Sequence, residues 1–168
     1  MKVHGVETDR VKEAVYLGDI ISHDGSNSHN VKSRTAKGMG IVSQIMEILQ
    51  TVSFGFKYFE IAIVLREALL INGMLTNSEV WYGLKKAEIS ELEEVDRLLL
   101  RRIFNVPSSA CTESFYLELG ISPISVILKA RRVNYLHYLV KLEETEMLSK
   151  FFYAQWLFPV KKRLGSSS

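Results

Sequence analysis

The spacing of apolar positions along this 168-residue chain changes character near residue 26. From Val3 to Ser22 apolar and polar residues alternate weakly and β-branched side chains are frequent, with breaks at His4-Gly5, Thr8-Asp9 and Asp24-Gly25. That pattern predicts two or three short strands. Beyond them the period is helical. Asn30 is placed to cap a helix whose stripe runs through Val31, Thr35, Gly38, Val42, Ile45, Met46 and Leu49. Gly38 and Gly40 each weaken such a helix by about 1 kcal/mol relative to alanine, so a close approach or a bend is expected there. Ser53 is a start signal for a second helix, which presents Phe56, Phe59, Ile63, Leu70 and Leu75. Apolar on most sides, it belongs in the middle of a bundle, with Trp81-Tyr82 at its end and Gly83 as its stop.

A third helix, from about Ala87 to Phe104, buries Leu92, Val95, Leu99 and Ile103. It starts acidic, with Glu88, Glu91, Glu93 and Glu94, and ends basic, with Arg97, Arg101 and Arg102, which matches the helix dipole at both ends. Pro107 and Ser108-Ser109 mark a boundary. Thr112 caps a short helix that stops at Gly120, and Ser122-Pro123 opens a long one running to about Glu143. Its apolar side carries Ile124, Leu128, Tyr135, Leu139 and Leu142. Thr145 can cap a last helix bearing Leu148, Phe151, Phe152 and Trp156, followed by a basic, Gly/Ser-rich tail over residues 159–168. The expected fold is mainly α: a short N-terminal β-hairpin region over residues 1–25 followed by a bundle of five or six helices in all, divided into a helical bundle over 26–106 and a helical extension over 107–158.

Composition narrows function mostly by exclusion. The length suits one domain with a real core. Charge is nearly balanced, 21 Lys and Arg against 19 Asp and Glu, so any nucleic-acid role must rest on local clusters. The single cysteine, Cys111, gives no disulfide framework, and His4, His23, His29 and His137 lack zinc-site spacing. No metal ligand set or cofactor motif is expected: there is no P-loop, no dinucleotide-binding turn and no His-Glu-x-x-His. Ser22-His23-Asp24 is consecutive, and neighbours in a turn do not converge as nucleophile, base and orienter must. The longest apolar stretch, Ile61 to Leu75, is interrupted by Arg66, Glu67 and Asn72 and falls short of a membrane span. No leader-like apolar segment follows Met1. A soluble, intracellular protein is the expectation.

Four basic clusters remain. Arg34 and Lys37, with Lys32 nearby, sit three apart on the first helix and serve either as a solvated face or as phosphate contacts. Arg97, Arg101 and Arg102 are spaced to pair with Glu93 and Glu94. Lys129, Arg131 and Arg132 interleave with Tyr135 and Tyr138, a pattern that suits either base stacking or a core boundary. Lys161-Lys162-Arg163 is a short basic tail.

Several motifs, in order, resemble one family. Tyr16-Leu17-Gly18, opening the run to Asp24-Gly25, is similar to the strand that starts the primer-grip hairpin in reverse transcriptases of LINE-type non-LTR retrotransposons. Residues Val31 to Gln50, with Lys32, Arg34, Thr35 and Ala36, resemble the first thumb helix. The stretch from Phe56 to Gly83, through Arg66-Glu67-Ala68-Leu69 and Ser78-Glu79-Val80-Trp81, looks like the family's next segment. Leu92-Glu93-Glu94-Val95-Asp96-Arg97 and Leu100-Arg101-Arg102-Ile103-Phe104 resemble its Leu-Glu-x-x-x-Arg-x-x-Leu-Arg-Arg-Ile signature, and Glu118-Leu119-Gly120-Ile121, Pro123 and Arg131 to Leu136 continue the likeness.

The resemblance implies that residues 1–25 end a palm, that 26–106 form a thumb, and that the partner is an RNA-DNA or RNA template-primer duplex. It places nucleic-acid contacts at Tyr16, Leu17, Gly18, Lys32, Arg34, Lys37, Lys129, Arg131 and Arg132. Where such an element acts, the location implied is nuclear. One departure is large. Polymerases of this kind need clustered aspartates to hold paired divalent metals, whereas Asp9, Asp19, Asp24 and Asp96 are each isolated. The chain is therefore expected to be non-catalytic, and the alternative is a helical module that binds a protein or associates with itself through apolar surface.

Overall fold

The computed structural model describes residues 11–142 and 146–150, together with the backbone of two short strands near the N-terminus. The fold is mainly α, with N-terminal hairpins followed by six helices. The expected caps and tail at 143–145 and 151–168, including Thr145, Phe151, Phe152, Trp156 and Lys161-Lys162-Arg163, lie outside the described residues.

Strands β1 (Lys2–Val3) and β2 (Val6–Glu7) pair antiparallel, Lys2 opposite Glu7. Strands β3 (Glu13–Tyr16) and β4 (Asp19–Ser22) pair likewise, from Glu13 opposite Ser22 to Tyr16 opposite Asp19. Only Leu17 and Gly18 connect them, and both have positive φ, +48° and +83°. This is the type I′ loop that matches the twist of a tight hairpin. Tyr16-Leu17-Gly18 is thus the end of one strand and the turn itself, not a strand leading to a turn at Asp24-Gly25. The latter pair instead forms the bend after β4, where Gly25 N–H returns to the Ser22 carbonyl.

Helix α1 (Ser28–Gln50) buries Val31, Val42, Ile45 and Leu49, the apolar stripe expected from its spacing. It starts earlier than Asn30, because Asn27 already occupies the cap position. The Asn30 side chain is therefore free of capping and points at the hairpin instead. A second rod comprises α2 (Phe56–Leu65), a π-helical stretch Arg66–Ile71 and α3 (Asn72–Met74). It stops at Leu75, short of the expected Trp81. Asn77 in the left-handed region turns the chain into a 3-10 turn at Ser78–Val80.

The two rods meet at glycine. A Cβ on Gly38 would lie 2.8 Å from Met74 Sδ and 3.1 Å from Val95 Cγ1, and one on Gly73 would lie 2.7 Å from Ile41 Cδ1. Gly38 therefore has the close approach its sequence position suggests, whereas Gly40 faces open space.

Helix α4 (Lys86–Phe104) begins where Glu88 accepts the Lys85 N–H at 2.8 Å and ends at Asn105 in the left-handed region. Its stripe, Leu92, Val95, Leu99 and Ile103, completes the core against α1 and the second rod. Helix α5 (Glu113–Glu118) is short, and Gly120 stops it at φ +63°. Helix α6 (Ile124–Lys141) inserts Ile124 and Leu128 into the same core, so its first half belongs to the bundle rather than to a separate extension beyond residue 106. Its second half leaves Val133, Leu136, Tyr138 and Val140 exposed. Among the described residues no helix is long and apolar enough to cross a membrane.

Candidate functional site

The main tie between the hairpin and the bundle centres on the Asp19 carboxylate. Asp19 Oδ1 accepts from Arg34 Nη2 at 2.7 Å and from Asn30 Nδ2 at 3.1 Å, while Asn30 Oδ1 accepts the Ile20 N–H at 3.2 Å. Arg34 also lies over the Trp81 ring, 5.9 Å from its centroid. Burial alone would raise the Asp19 pKa. Hydrogen bonds from Arg34, Asn77 and Asn30 outweigh that, and the carboxyl is held below its ordinary value. At the far end, Asn77 donates to the Leu17 carbonyl, and on the near side His29 pairs with Glu13.

This corrects the expected placement of Arg34 beside Lys37 on a solvent face. Arg34 is only 5% exposed, one turn from Asn30 and Gly38 on the buried side, and its charge is committed to Asp19. The heptad-like spacing put a basic residue into the stripe, where it fastens a hairpin. Lys32 and Lys37 are exposed. On a helix of about 100° per residue they stand roughly 140° apart, one on each edge of the outward face. Between them lie Ser33, Ala36 and Gly40, all exposed and small. The first half of the outward face of α1 is therefore a smooth strip with a cation at each margin, and further along the same sector come the exposed Gln44 and Glu47.

The third basic cluster divides in the same way. Arg131 donates to the Leu75 carbonyl and to Asn72 Oδ1, and Arg132 donates to the Trp81 carbonyl at 2.7 Å. Arg131 clamps α6 onto the end of the second rod, supplying a donor to a carbonyl that a terminating helix leaves free, and Arg132 ties α6 to the segment that follows the 3-10 turn. Lys129 is exposed. Tyr135 and Tyr138 stack on each other, ring centroids 6.2 Å apart. In the second cluster Arg97 reaches Glu94 at 2.9 Å and Glu93 at 3.6 Å, and Arg101 reaches Glu94 at 2.7 Å, as their spacing suggests. Arg102 is exposed.

Sequence reasoning missed the most deeply buried polar group. Arg66 and Asp96 are both fully buried and meet as a fork, Nε to Oδ1 and Nη2 to Oδ2, each at 2.7 Å. Arg66 Nη2 also donates to the Ser122 carbonyl at 2.9 Å, Nη1 contacts Glu67, and Tyr116 Oη donates to Asp96 at 3.0 Å. Asp96, one of the isolated aspartates, thus sits in the core. Burial and then the Asp96 charge push the Tyr116 hydroxyl far above its usual range. For Arg66 burial opposes the charge, yet the Asp96 hydrogen bonds win and its pKa rises. The signal was present: Asp96 lies four residues after Leu92 and three before Leu99, on the stripe itself.

A groove of about 450 Å³ opens between the hairpin, the start of α1 and the segment 77–82. Tyr16, Leu17, Ile20 and Ile21 form one wall, Val80, Trp81 and Tyr82 the other, and Asn27, Asn30 and Asn77 the floor. Its rim is strongly apolar and open: Leu17 is 76% and Tyr82 92% exposed. Tyr16, Leu17 and Gly18, the residues singled out by the resemblance, lie at this groove, whereas Lys32 and Lys37 lie along α1. Lys129 and the two clamping arginines are on α6. Among the described residues no three His, Cys, Asp or Glu side chains are placed to hold a metal ion. No family model, curated protein or solved structure matches the chain.

Proposed function

We propose that this chain is a non-catalytic, thumb-like module that holds a nucleic-acid duplex along the outward face of α1, as its resemblance to LINE-type reverse transcriptases suggests. One observation carries the reading: the strip Ser33, Ala36 and Gly40 is free of bulk and is bordered by the exposed cations Lys32 and Lys37. A shallow minor groove of A-like form offers sugar edges between two rows of phosphates. A smooth strip with a lysine on each margin suits that profile, with the lysines meeting opposite rows. Contacts of this sort position a duplex without reading its bases. Two further features support a holding role rather than chemistry. Asp19 and Asp96 are each engaged by a buried arginine, and a carboxylate so engaged is not free to ligate a metal.

The test is salt-dependent binding to a fluorescein-labelled RNA-DNA hybrid, read by anisotropy between 50 and 200 mM KCl. Lys32→Gln and Lys37→Gln should each reduce the slope of log affinity against log salt by about one, and together by about two. Arg34 is left intact, because its loss would release the hairpin. A duplex affinity no greater than that of a neutral polymer, together with a tight dimer by light scattering, would instead favour a self-associating module. The exposed apolar residues Val15, Tyr16, Leu17 and Ile21 are the feature that such a module would use.

A further inference from the structure

The geometry points to a second, separate recognition site: the groove between the β3–β4 hairpin and residues 77–82 takes an arginine or lysine side chain from an apolar segment of a protein partner. Several polar groups at the groove are already engaged within the protein. Asn27 Nδ2 donates to the Tyr82 carbonyl, Asn30 Nδ2 to Asp19, and Asn77 Nδ2 to the Leu17 carbonyl. Each of these amides thus spends one or more of its two N–H groups inside the protein. Arg34, the cation behind the hairpin, is committed to Asp19.

What remains on offer is acceptor and aromatic surface. Glu79 lines the groove and forms no ion pair among the described residues. It also borders a smaller recess with Arg131 and Tyr135, but the Arg131 guanidinium is occupied by the Leu75 carbonyl and Asn72. No lysine or arginine lines the groove. A phosphate entering here would meet the unpaired carboxylate of Glu79, an Asp19 carboxylate already matched by Arg34, and no unpaired cation. A guanidinium or ammonium would meet the Glu79 carboxylate and the exposed rings of Tyr16 and Tyr82, the combination that stabilises a desolvated cation. The rim adds the second half of the requirement. Tyr16, Leu17, Val80 and Tyr82 are 65%, 76%, 54% and 92% exposed. That is more apolar surface than one side chain covers, so the cation's neighbours in its own chain are apolar. A peptide presenting one basic residue between aliphatic ones fits both parts.

The site is distinct from the lysine-edged strip on α1 and stands or falls independently of it. The probe is a fluorescein-labelled peptide of sequence Ala-Val-Arg-Ile-Thr-Val, titrated with the full chain and read by anisotropy. Replacing its arginine by citrulline, which keeps the shape and removes the charge, should weaken binding by about tenfold. Glu79→Gln should weaken it to a similar degree, and Tyr82→Ala by several-fold. Both residues are surface-accessible, and circular dichroism checks that the fold is kept. Lys32→Gln and Lys37→Gln should leave peptide affinity unchanged. No binding of the arginine peptide, equal affinity for the citrulline form, or displacement of the peptide by a short oligothymidylate would each overturn the inference. The last result would assign the groove to nucleic acid instead.

Discussion

Removing the carboxylate of Asp96 tests the central packing argument, because no water reaches the arginine it serves. In Asp96→Ala, Arg66 keeps its charge at full burial but loses the acceptors for Nε and one bond of Nη2, and Tyr116 loses the partner of its hydroxyl. Glu67 and the Ser122 carbonyl are all that remain to it. Breaking a buried pair from one side costs about 3–5 kcal/mol, since an uncompensated charge is left in the interior. With a urea m-value of about 2 kcal/mol/M for a domain of this size, the midpoint should fall by about 1.5–2.5 M. The double substitution Arg66→Met with Asp96→Leu removes both charges and fills the space. It should be less destabilised than Asp96→Ala by about 2 kcal/mol or more, a coupling that a double-mutant cycle isolates. Arg97→Ala, at the half-exposed helix-surface network, should cost about 0–1 kcal/mol. Urea titrations followed by far-ultraviolet circular dichroism, run on these variants and on the single substitutions Arg66→Met and Asp96→Leu that close the cycle, supply the values. A cost for Asp96→Ala below about 1 kcal/mol, or strict additivity in the cycle, would refute the claim that this pair is a buried unit. If Asp96→Ala does not fold at all, a folded double variant makes the same point.

Two glycines two residues apart should respond oppositely to one substitution. Gly38→Ala drives a methyl against Met74 and Val95 and should lower stability by about 1 kcal/mol after its gain in helix propensity, whereas Gly40→Ala meets open space and should raise it by about 0.5–1 kcal/mol; thermal melts that move in the same direction would contradict the crossing geometry. The hydroxyl of Tyr116 sets a pH limit. Burial and Asp96 raise its pKa in the folded protein above the ordinary 10.0, so the stability it contributes is complete below about pH 10 and is lost as pH climbs beyond it. The difference in urea midpoint between the natural protein and Tyr116→Phe should shrink from pH 9 to pH 11, and parallel curves across that range would refute it.

How far the chain could be read without coordinates varies element by element. The stripes of α1 and α4 were legible because they alternate clearly with polar positions, and a helix with such a pattern has one way to face a core. The helical class and the N-terminal hairpin followed from the same periodicity. Helix ends were less legible. The second rod stops at Leu75 rather than Trp81 because Asn77 adopts a left-handed turn, and nothing local distinguishes that asparagine from one in a helix. The hairpin turn was misplaced because Leu17 takes a left-handed position that glycine or asparagine usually fills, while the better turn pair, Asp24-Gly25, lay a few residues on.

The candidate site was less legible than the fold, for a physical reason. A basic residue has the same identity in sequence whether it faces water, a phosphate or a buried carboxylate. Lys32, Lys37 and Lys129 kept their exposure; Arg34, Arg131 and Arg132 became ties within the protein. Their partners, Asp19 and the carbonyls of Leu75 and Trp81, are 15, 56 and 51 positions away, so only the folded chain brings them together. Local pattern therefore determined which segments are helical and which faces they bury. Tertiary structure alone decided which charges are free, because pairing depends on distances across elements, and with that it decided that the hairpin opens on a groove lined by no lysine or arginine while α1 carries the exposed lysines.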